Sequence, residues 1–251
     1  MLISNKRDLR LLVGIPSGES WKVGMATSLI CMLTEFHNKM PGYAEQSLAV
    51  SCRESSMVWK ARQELAEKAL EMDATHLLFV DTDQTFPSDL VHRLASWDKD
   101  VVACNVATKN IPPGPTARLR SATKPDGEPY PCLEGSVGLK RVWRVGTGVM
   151  LIRTSIFERI PLPWFNVRWD SIQGKHVGED WWFCERLEEA SIPIYIDRGL
   201  SWEIGHIGKL EFKHSMYKGR YNSSDINDIT QEGADDAQEA DTEAEAVEVT
   251  A

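Results

Sequence analysis

Short apolar runs alternate with amphipathic segments along the first half of the chain. Branched apolar runs predict strands, and apolar residues that recur every three or four positions predict helices. The segment 57–72 is an amphipathic helix, with Leu65, Ala69 and Met72 on one side. Alternating strands and helices predict an α/β fold, a mainly parallel sheet with flanking helices. The predicted strands are 11–15, 48–52, 76–80, 101–105, 149–152 and 194–196, and the predicted helices are 21–36, 57–72, 88–97 and one that begins at 179–180.

The regular pattern lapses between residues 108 and 143. Closely spaced prolines and glycines in this segment are expected to exclude regular helix and sheet. A long loop inside a domain commonly serves as a substrate lid, but a variable surface loop has the same composition. Both interpretations stay open at this stage.

The composition narrows the class of protein. A chain of 251 residues suits one sizeable domain. No apolar stretch is long enough to span a bilayer, and the first residues lack the apolar core of a signal peptide. The five cysteines have scattered spacing and no CxxC, so neither a disulfide framework nor a zinc knuckle is expected. We therefore expect a cytoplasmic protein with reduced thiols and no integral membrane association.

The net charge of −9 is concentrated near the end of the sequence. Residues 225–251 contain ten Asp or Glu and no Lys or Arg, which leaves 28 basic against 27 acidic residues elsewhere. A nearly neutral folded part has no strong field with which to attract nucleic acid or membranes. The end of the chain also has few large apolar residues to bury. The sequence thus predicts a folded domain at 1–221 and a disordered acidic tail at 222–251.

Two carboxylates stand at the end of the third predicted strand. Asp81 and Asp83 follow the buried run 76–80, and ligands of open α/β sheets bind just beyond the carboxyl ends of strands. Residues at i and i+2 point the same way, so both oxygens suit a divalent cation that in turn holds nucleotide phosphates. A turn or a helix cap is the competing interpretation.

Two later segments strengthen the functional interpretation. Glu179 and Asp180 open a helix, and His206 lies between two glycines after a further strand. With Asp81-Thr82-Asp83, these segments resemble the GT-A glycosyltransferases, most closely the family-2-like enzymes of bacteria and their phages. The resemblance covers roughly residues 11–213 and implies a GT-A (Rossmann-like) fold. It also implies transfer of a sugar from a nucleotide-diphosphate sugar, in the host cytoplasm if the chain is phage-encoded.

The resemblance implies a role for each motif. Asp81, Asp83 and His206 would hold Mn or Mg on the diphosphate. Asp83 is the preferred direct ligand, and Asp81 is placed nearer the ribose or acts through water, although the opposite assignment stays open. Asp180, or its neighbour Glu179, would deprotonate the acceptor, because carboxylates in a first helical turn tend to stay ionised. An N-cap is the alternative role for Asp180.

Further residues are assigned by their position relative to these motifs. Candidates for donor binding are Pro16, Ser17 and Glu19 after the first strand, Arg62 in the helix before the metal motif, and Lys209 after His206. Arg62 fits equally well as a surface residue of a charged helix. Candidates for the acceptor side are Gly146, Thr147 and Gly148, together with Trp181 and Trp182, whose rings suit stacking on a sugar.

Two other functions remain as alternatives. A nucleotidyltransferase also uses carboxylates at a strand end with a metal, but normally shows a Gly-rich basic loop after the first strand. A module that binds nucleotide or carbohydrate without catalysis would not need all of Asp81, Asp83, Asp180 and His206. The sugar, the base, the oligomeric state and the acceptor, which could be a protein, a glycan or a modified nucleic acid, are not identified by the sequence.

Overall fold

The structure is a computed structural model that describes residues 7–38, 43–209 and 211–217. The strands are β1 (Arg7–Ser17), β2 (Tyr43–Glu54), β3 (His76–Val80), β4 (Gln84–Thr85), β5 (Val101–Ala103), β6 (Arg118–Leu119), β7 (Glu128–Pro129), β8 (Leu139–Val142), β9 (Val149–Arg153), β10 (Arg168–Asp170), β11 (Lys175–Val177), β12 (Ile194–Asp197), β13 (Gly205–Ile207) and β14 (Glu211–Phe212). The α-helices are α1 (Val23–Phe36), α2 (Val58–Glu71), α3 (Leu90–Ser96), α4 (Glu179–Glu189) and α5 (Arg198–Glu203), and Thr154–Glu158 and His214–Tyr217 are 3₁₀ helices.

Seven strands form the central sheet in the order β2-β1-β3-β9-β5-β12-β8. Strands β2, β1, β3, β5 and β12 run in one direction, and β9 and β8 are antiparallel to their neighbours. The predicted α/β fold, with a mainly parallel sheet and flanking helices, is confirmed. Because β9 runs in reverse, its first residue lies at the same edge of the sheet as the last residues of the five parallel strands. That edge is where ligands of such sheets bind.

Helices α1 and α3 cover one face of the sheet. Alternate residues of β1 point to this face, because successive side chains of a strand point to opposite sides. They form one apolar cluster with the buried residues of α1 and α3, and burial of each large apolar side chain stabilises the fold by about 1.5–3 kcal/mol. The cluster includes Leu9, Leu11, Val13 and Ile15 of β1, Met25, Leu29 and Met32 of α1, and Leu90, Val91 and Leu94 of α3.

Helices α2 and α4 cover the other face. Gly14 of β1 points toward α2, and a Cβ there would lie 3.0 Å from Leu77 Cδ1 and 3.5 Å from Leu65 Cβ. Glycine therefore lets α2 approach the sheet closely. Farther along this face, Phe79 of β3 packs edge-on against Phe165 at 5.4 Å between ring centroids, and Phe165 stacks on Phe183 of α4 at 4.6 Å.

The prediction that residues 108–143 contain no regular structure is wrong. Strand β8 follows the last proline of the segment and pairs with β12 at the edge of the central sheet. Strands β6 and β7 form a two-residue ladder in which Arg118 is opposite Pro129. This ladder contains only two strands, so Pro129 lies at an edge, where a proline without an N–H is tolerated.

Asn105 ties this segment to the body of the protein. It follows β5, is fully buried, and its side-chain Nδ2 donates to the carbonyl of Tyr130 at 2.7 Å. Its Oδ1 accepts from the backbone N–H of Ala117 at 2.9 Å, and its own N–H donates to Ser201 Oγ at 2.8 Å. One side chain thus satisfies two backbone groups that have been removed from water.

Three further predictions concern the cysteines, membrane-spanning helices and the domain boundary. All five cysteines are free, and Cys104, Cys132 and Cys184 are buried. No helix in the described ranges is long and apolar enough to cross a membrane. The boundary at residue 221 and the acidic tail lie outside the described residues and stay predictions.

We predict that Asn105→Ala lowers the free energy of unfolding by about 2–4 kcal/mol, because the Tyr130 carbonyl and the Ala117 N–H lose their buried partner. Urea denaturation measures this loss. Asn110→Ala, at an exposed position of the same segment, is the matched control and should change stability little. Equal stability of the two variants would contradict the role given to Asn105.

Candidate functional site

The site is built around the turn that follows β3. Asp81 is the first residue after the strand, and its N–H donates to the carbonyl of Gly148 at 2.9 Å, just before β9 begins. Gly148 makes room for this carboxylate, since a Cβ there would lie 3.1 Å from Asp81 Oδ2. The reversed strand β9 therefore brings the predicted Gly146-Thr147-Gly148 segment against the predicted Asp81-Thr82-Asp83 motif.

A small three-stranded sheet carries His206 to Asp83. Strand β13 pairs with β4, with His206 opposite Gln84, and the Ile207 N–H donates to the Asp83 carbonyl at 2.7 Å. Gly205 permits this pairing, because a Cβ there would lie 2.3 Å from Thr85 Oγ1. As a result, His206 Nε2 lies 3.3 Å from Asp83 Oδ1.

The other oxygen of Asp83 contacts Lys109, from the segment after β5. Lys109 Nζ donates to Asp83 Oδ2, and both side chains are partly exposed. Burial raises the pKa of Asp83, but hydrogen bonds and charge from His206 and Lys109 outweigh burial and lower the pKa to about 2. Asp83 is thus held as a carboxylate.

The orientation of His206 is fixed by its second nitrogen. His206 Nδ1 lies 2.7 Å from the carbonyl oxygen of Ala107. A carbonyl only accepts, so Nδ1 carries a proton and donates it, and Nε2 faces Asp83. A histidine that binds a metal through one nitrogen commonly donates from the other to a backbone carbonyl in this way.

Arg62 of α2 connects Asp81, in the predicted metal motif, to Glu179, in the predicted Glu179-Asp180 pair. Its side chain is 3 % exposed, and NH2 donates to Asp81 Oδ1 at 2.7 Å. Nε donates to Glu179 Oε1 at 3.4 Å, and NH1 donates to the Thr147 carbonyl at 3.3 Å. The interpretation of Arg62 as a surface residue is wrong, because it lies on the buried side of α2 against the site.

Asp180 lies beside Glu179 in the first turn of α4. Burial and the charge of Glu179 raise its pKa to about 6, although the Trp181 N–H and the charge of Arg62 act in the opposite direction. The N-cap of α4 is Gly178, so Asp180 is not the N-cap. Its Oδ1 accepts from the Trp181 N–H at 2.7 Å, within the first turn.

Two buried polar atoms near these carboxylates lack partners. Thr147 Oγ1 and Gln84 Oε1 have no hydrogen-bond partner within the described part of the chain, although both residues are almost fully buried. Gln84 Nε2 lies 3.4 Å from Asp83 Oδ1, so this amide belongs to the same cluster. Both atoms could therefore form a hydrogen bond with a bound ligand.

The residues predicted to bind the nucleotide are only partly brought together. Pro16 and Ser17 end β1 and pair with β2, and Ser17 Oγ accepts from the Trp21 indole N–H at 3.0 Å. The loop after β1 contacts the site through the Lys22 N–H, which donates to the Thr82 carbonyl at 2.9 Å. Glu19 and Lys209 are exposed, and neither forms an ion pair with another described residue.

The two tryptophans predicted to line the site have different neighbours. Trp181 has the Arg144 guanidinium over its ring at 4.7 Å and the Lys175 ammonium at 5.6 Å. Trp182 donates from its indole nitrogen to the Pro163 carbonyl at 3.0 Å, and Arg186 lies over its ring at 4.6 Å. The structure therefore gives each ring a cationic neighbour.

The side chains around Asp83 provide part of the ligand set of a divalent cation. The described residues contain no group of three His, Cys, Asp or Glu side chains placed to hold a metal ion. Asp81 is engaged by Arg62, which leaves Asp83 and His206 as an adjacent pair. Mg²⁺ and similar ions are often held by one or two protein ligands and by substrate phosphates, so the pair fits an ion that arrives with a nucleotide.

Three contributors to the site, Lys109, the Ala107 carbonyl and Gln84, were not among the predicted residues. Lys109 lies in the segment for which a substrate lid was one open interpretation, but no pattern in the sequence placed it against Asp83. The burial of Arg62, by contrast, could have been predicted from the sequence. Arg62 falls three, four and seven positions before Leu65, Ala66 and Ala69, so it lies on the apolar side of α2.

Comparison with known proteins supports the fold alone. No family model matches the chain, and no curated protein matches it. Among solved structures, A197 from STIV has a TM-score of 0.53 and 21 % identity, over 80 % of this chain and 86 % of that chain. A CMP:2-keto-3-deoxy-manno-octonic acid synthetase solved with CTP has a TM-score of 0.39 and 14 % identity, over 76 % and 88 %. The likeness to A197 shows that the two chains share this α/β fold.

We predict that Asp180→Asn stabilises the protein above pH 6 but not near pH 4. The pKa of Asp180 is about 6 in the folded protein, against an ordinary value of 3.8, so ionising this carboxylate costs stability as the pH rises between these values. The gain should level off at about 1–3 kcal/mol above that range. Urea unfolding of both proteins between pH 4.5 and 8 measures it.

Glu189→Gln, at the other end of α4, is the control for loss of one formal charge from the same helix. It should show no comparable gain with rising pH. A stability difference between wild type and Asp180→Asn that stays constant across the range would mean that Asp180 is not held in an unfavourable environment.

Proposed function

We propose that this protein is a metal-dependent glycosyltransferase that moves a sugar from a nucleotide-diphosphate sugar to an acceptor. The observation that carries the proposal is the contact network of Arg62. One buried guanidinium binds Asp81 at the end of β3 and Glu179 at the start of α4. It thereby joins the two acidic motifs on which the resemblance to GT-A enzymes was based.

Asp83 and His206 are the residues that would hold Mn or Mg in this proposal. The low pKa of Asp83 keeps an anionic oxygen available, and the hydrogen bond from His206 Nδ1 to the Ala107 carbonyl directs Nε2 toward Asp83. When bound, the ion supplies a Lewis acid that neutralises charge on the departing diphosphate. Gln84 and Thr147 offer unpartnered buried polar atoms to the donor.

Asp180 is the residue that would take the proton of the acceptor hydroxyl. A pKa of about 6 leaves it ionised at pH 7 to 8 and makes it a stronger base than an ordinary aspartate. Glu179 is less suited to the role because Arg62 Nε donates to its Oε1. Arg62 is thus a positioning residue in this proposal, since it fixes Asp81 and Glu179, whereas Asp180 forms no salt bridge with a described residue.

The acceptor side is proposed to include the Gly146-Thr147-Gly148 segment and Trp181. Thr147 is held by Arg62 through its carbonyl, and Trp181 follows Asp180 directly. Trp181, which has Arg144 and Lys175 over its ring, is the aromatic residue proposed to contact the sugar. The acceptor itself, whether protein, glycan or modified nucleic acid, is not specified by these contacts.

The proposal predicts that UDP or GDP binds only when Mn or Mg is present. Asp83→Asn removes the anionic ligand while nearly preserving shape, so affinity in the presence of metal should fall about tenfold or more. Isothermal titration calorimetry with and without chelator measures this. Asp73→Asn, the same change at an exposed position before the opposite end of β3, is the control and should bind like wild type.

Assays with a panel of UDP- and GDP-sugars, and with CTP, UTP and GTP, then distinguish glycosyl transfer from nucleotidyl transfer. Metal-dependent release of nucleoside diphosphate supports glycosyl transfer. Release of pyrophosphate from CTP, UTP or GTP would instead identify the protein as a nucleotidyltransferase. Equal UDP and GDP binding with and without chelator, in wild type and in Asp83→Asn alike, would contradict the assignment of metal to this site.

The proposal also predicts that Asp180→Asn lowers turnover by about two to four orders of magnitude, which is the usual contribution of a general base. Binding of the donor should be nearly unchanged, because Asp180 does not contact Asp83 or His206 in this proposal. The Asn side chain can still accept from the Trp181 N–H, so the helix start is preserved. Normal turnover by this variant would show that Asp180 is not the general base, and Glu179 would be the next residue to test.

A further inference from the structure

Lys109 lies on a short, braced loop beside the candidate metal ligands. Ala107 and Pro115 form a β-bridge at the base of this loop. Above the bridge, the Thr108 N–H donates to the Gly114 carbonyl at 2.8 Å, and the Gly114 N–H donates to Thr108 Oγ1 at 2.9 Å. The backbone that carries Lys109 is therefore well held, whereas its four-carbon side chain is 37 % exposed and able to change partners.

The same loop contacts both candidate metal-binding residues, Asp83 and His206. Its Ala107 carbonyl accepts from His206 Nδ1 at 2.7 Å, and its Lys109 ammonium donates to Asp83 Oδ2. A metal ion at Asp83 and His206 would bring two positive charges next to this ammonium. Like charges at such distances repel strongly in a partly buried site, so Lys109 and the ion compete for Asp83.

We propose that Lys109 is an exchangeable counter-ion, which pairs with Asp83 in the metal-free protein and moves to the donor diphosphate when metal and nucleotide bind. The inference rests on the proposed function, because it requires a divalent ion at Asp83. In the free protein, the ammonium neutralises Asp83 and keeps its side chain in place. In the complex, the diphosphate would supply a new anion for the Lys109 side chain, whose loop is held by the Ala107–Pro115 bridge and the hydrogen bonds between Thr108 and Gly114.

This exchange gives Lys109 opposite effects on two binding reactions. For Mn²⁺ alone, Lys109 is a competitor, so its removal should tighten binding. For UDP or GDP with Mn²⁺ present, Lys109 is a ligand of the phosphates, so its removal should weaken binding. A residue with only a structural role would not shift the two affinities in opposite directions.

The test compares wild type with Lys109→Gln and Lys109→Arg. Electron paramagnetic resonance measures free Mn²⁺ during titration without nucleotide, and calorimetry measures UDP and GDP binding at saturating Mn²⁺. We expect Lys109→Gln to bind Mn²⁺ roughly three- to tenfold more tightly, and to bind the nucleotide about tenfold or more weakly. Lys109→Arg keeps the charge and should stay close to wild type in both measurements.

Lys124→Gln is the matched control, because Lys124 is an exposed lysine that pairs with Glu128 away from Asp83. It should leave both affinities unchanged, and thermal melts should show that all variants fold. The inference is overturned if Lys109→Gln shifts both affinities in one direction or shifts neither, while wild type binds nucleotide only with metal. Wild type that binds neither Mn²⁺ nor nucleotide would overturn the proposed function and the role of Lys109 together.

Discussion

The site depends on one buried charge, the guanidinium of Arg62. Asp81 and Glu179 come from different halves of the chain, and two carboxylates that contact the same guanidinium would repel each other without it. Arg62 supplies that cation with two of its nitrogens and binds the Thr147 carbonyl with the third. Loss of one partner from a buried pair costs about 3–5 kcal/mol. The position of α2 against the sheet therefore fixes the geometry of both acidic motifs.

Two aspartates at this edge of the sheet have opposite electrostatic environments. Asp83 lies between Lys109 and His206 and has a lowered pKa, whereas Asp180 lies beside Glu179 and has a raised pKa. The difference arises because burial and the charge of Glu179 dominate at Asp180, whereas hydrogen bonds and charge from His206 and Lys109 outweigh burial at Asp83. Carboxylates whose pKa values are separated in this way are suited to different roles, one to bind a cation and the other to exchange a proton.

The fold was largely predictable, because periodicity is a local signal and the central strands and helices have clear periods. The reversed direction of β9 was not, since strand direction depends on which strands pair rather than on residue pattern. At the site, Asp81 and Asp83 could be predicted because they follow an apolar run, and Asp180 and His206 because the order of their motifs resembles that of GT-A enzymes. Lys109 could not, because its contact with Asp83 joins residues 26 positions apart through a loop without periodicity.

The charge balance at the edge of the sheet explains why the proposed function includes a metal. Among the described residues of the site, four carboxylates (Asp81, Asp83, Glu179 and Asp180) face two cationic side chains, Arg62 and Lys109. A nucleotide diphosphate adds further negative charge, and each unscreened pair of like charges at 4 Å costs about 4 kcal/mol near a protein surface. Arg62 is buried and bound to Asp81 and Glu179, so Lys109 is the one of these two cations that can move toward the phosphates. A single ammonium does not balance this charge, whereas a divalent ion held by Asp83 and His206 would.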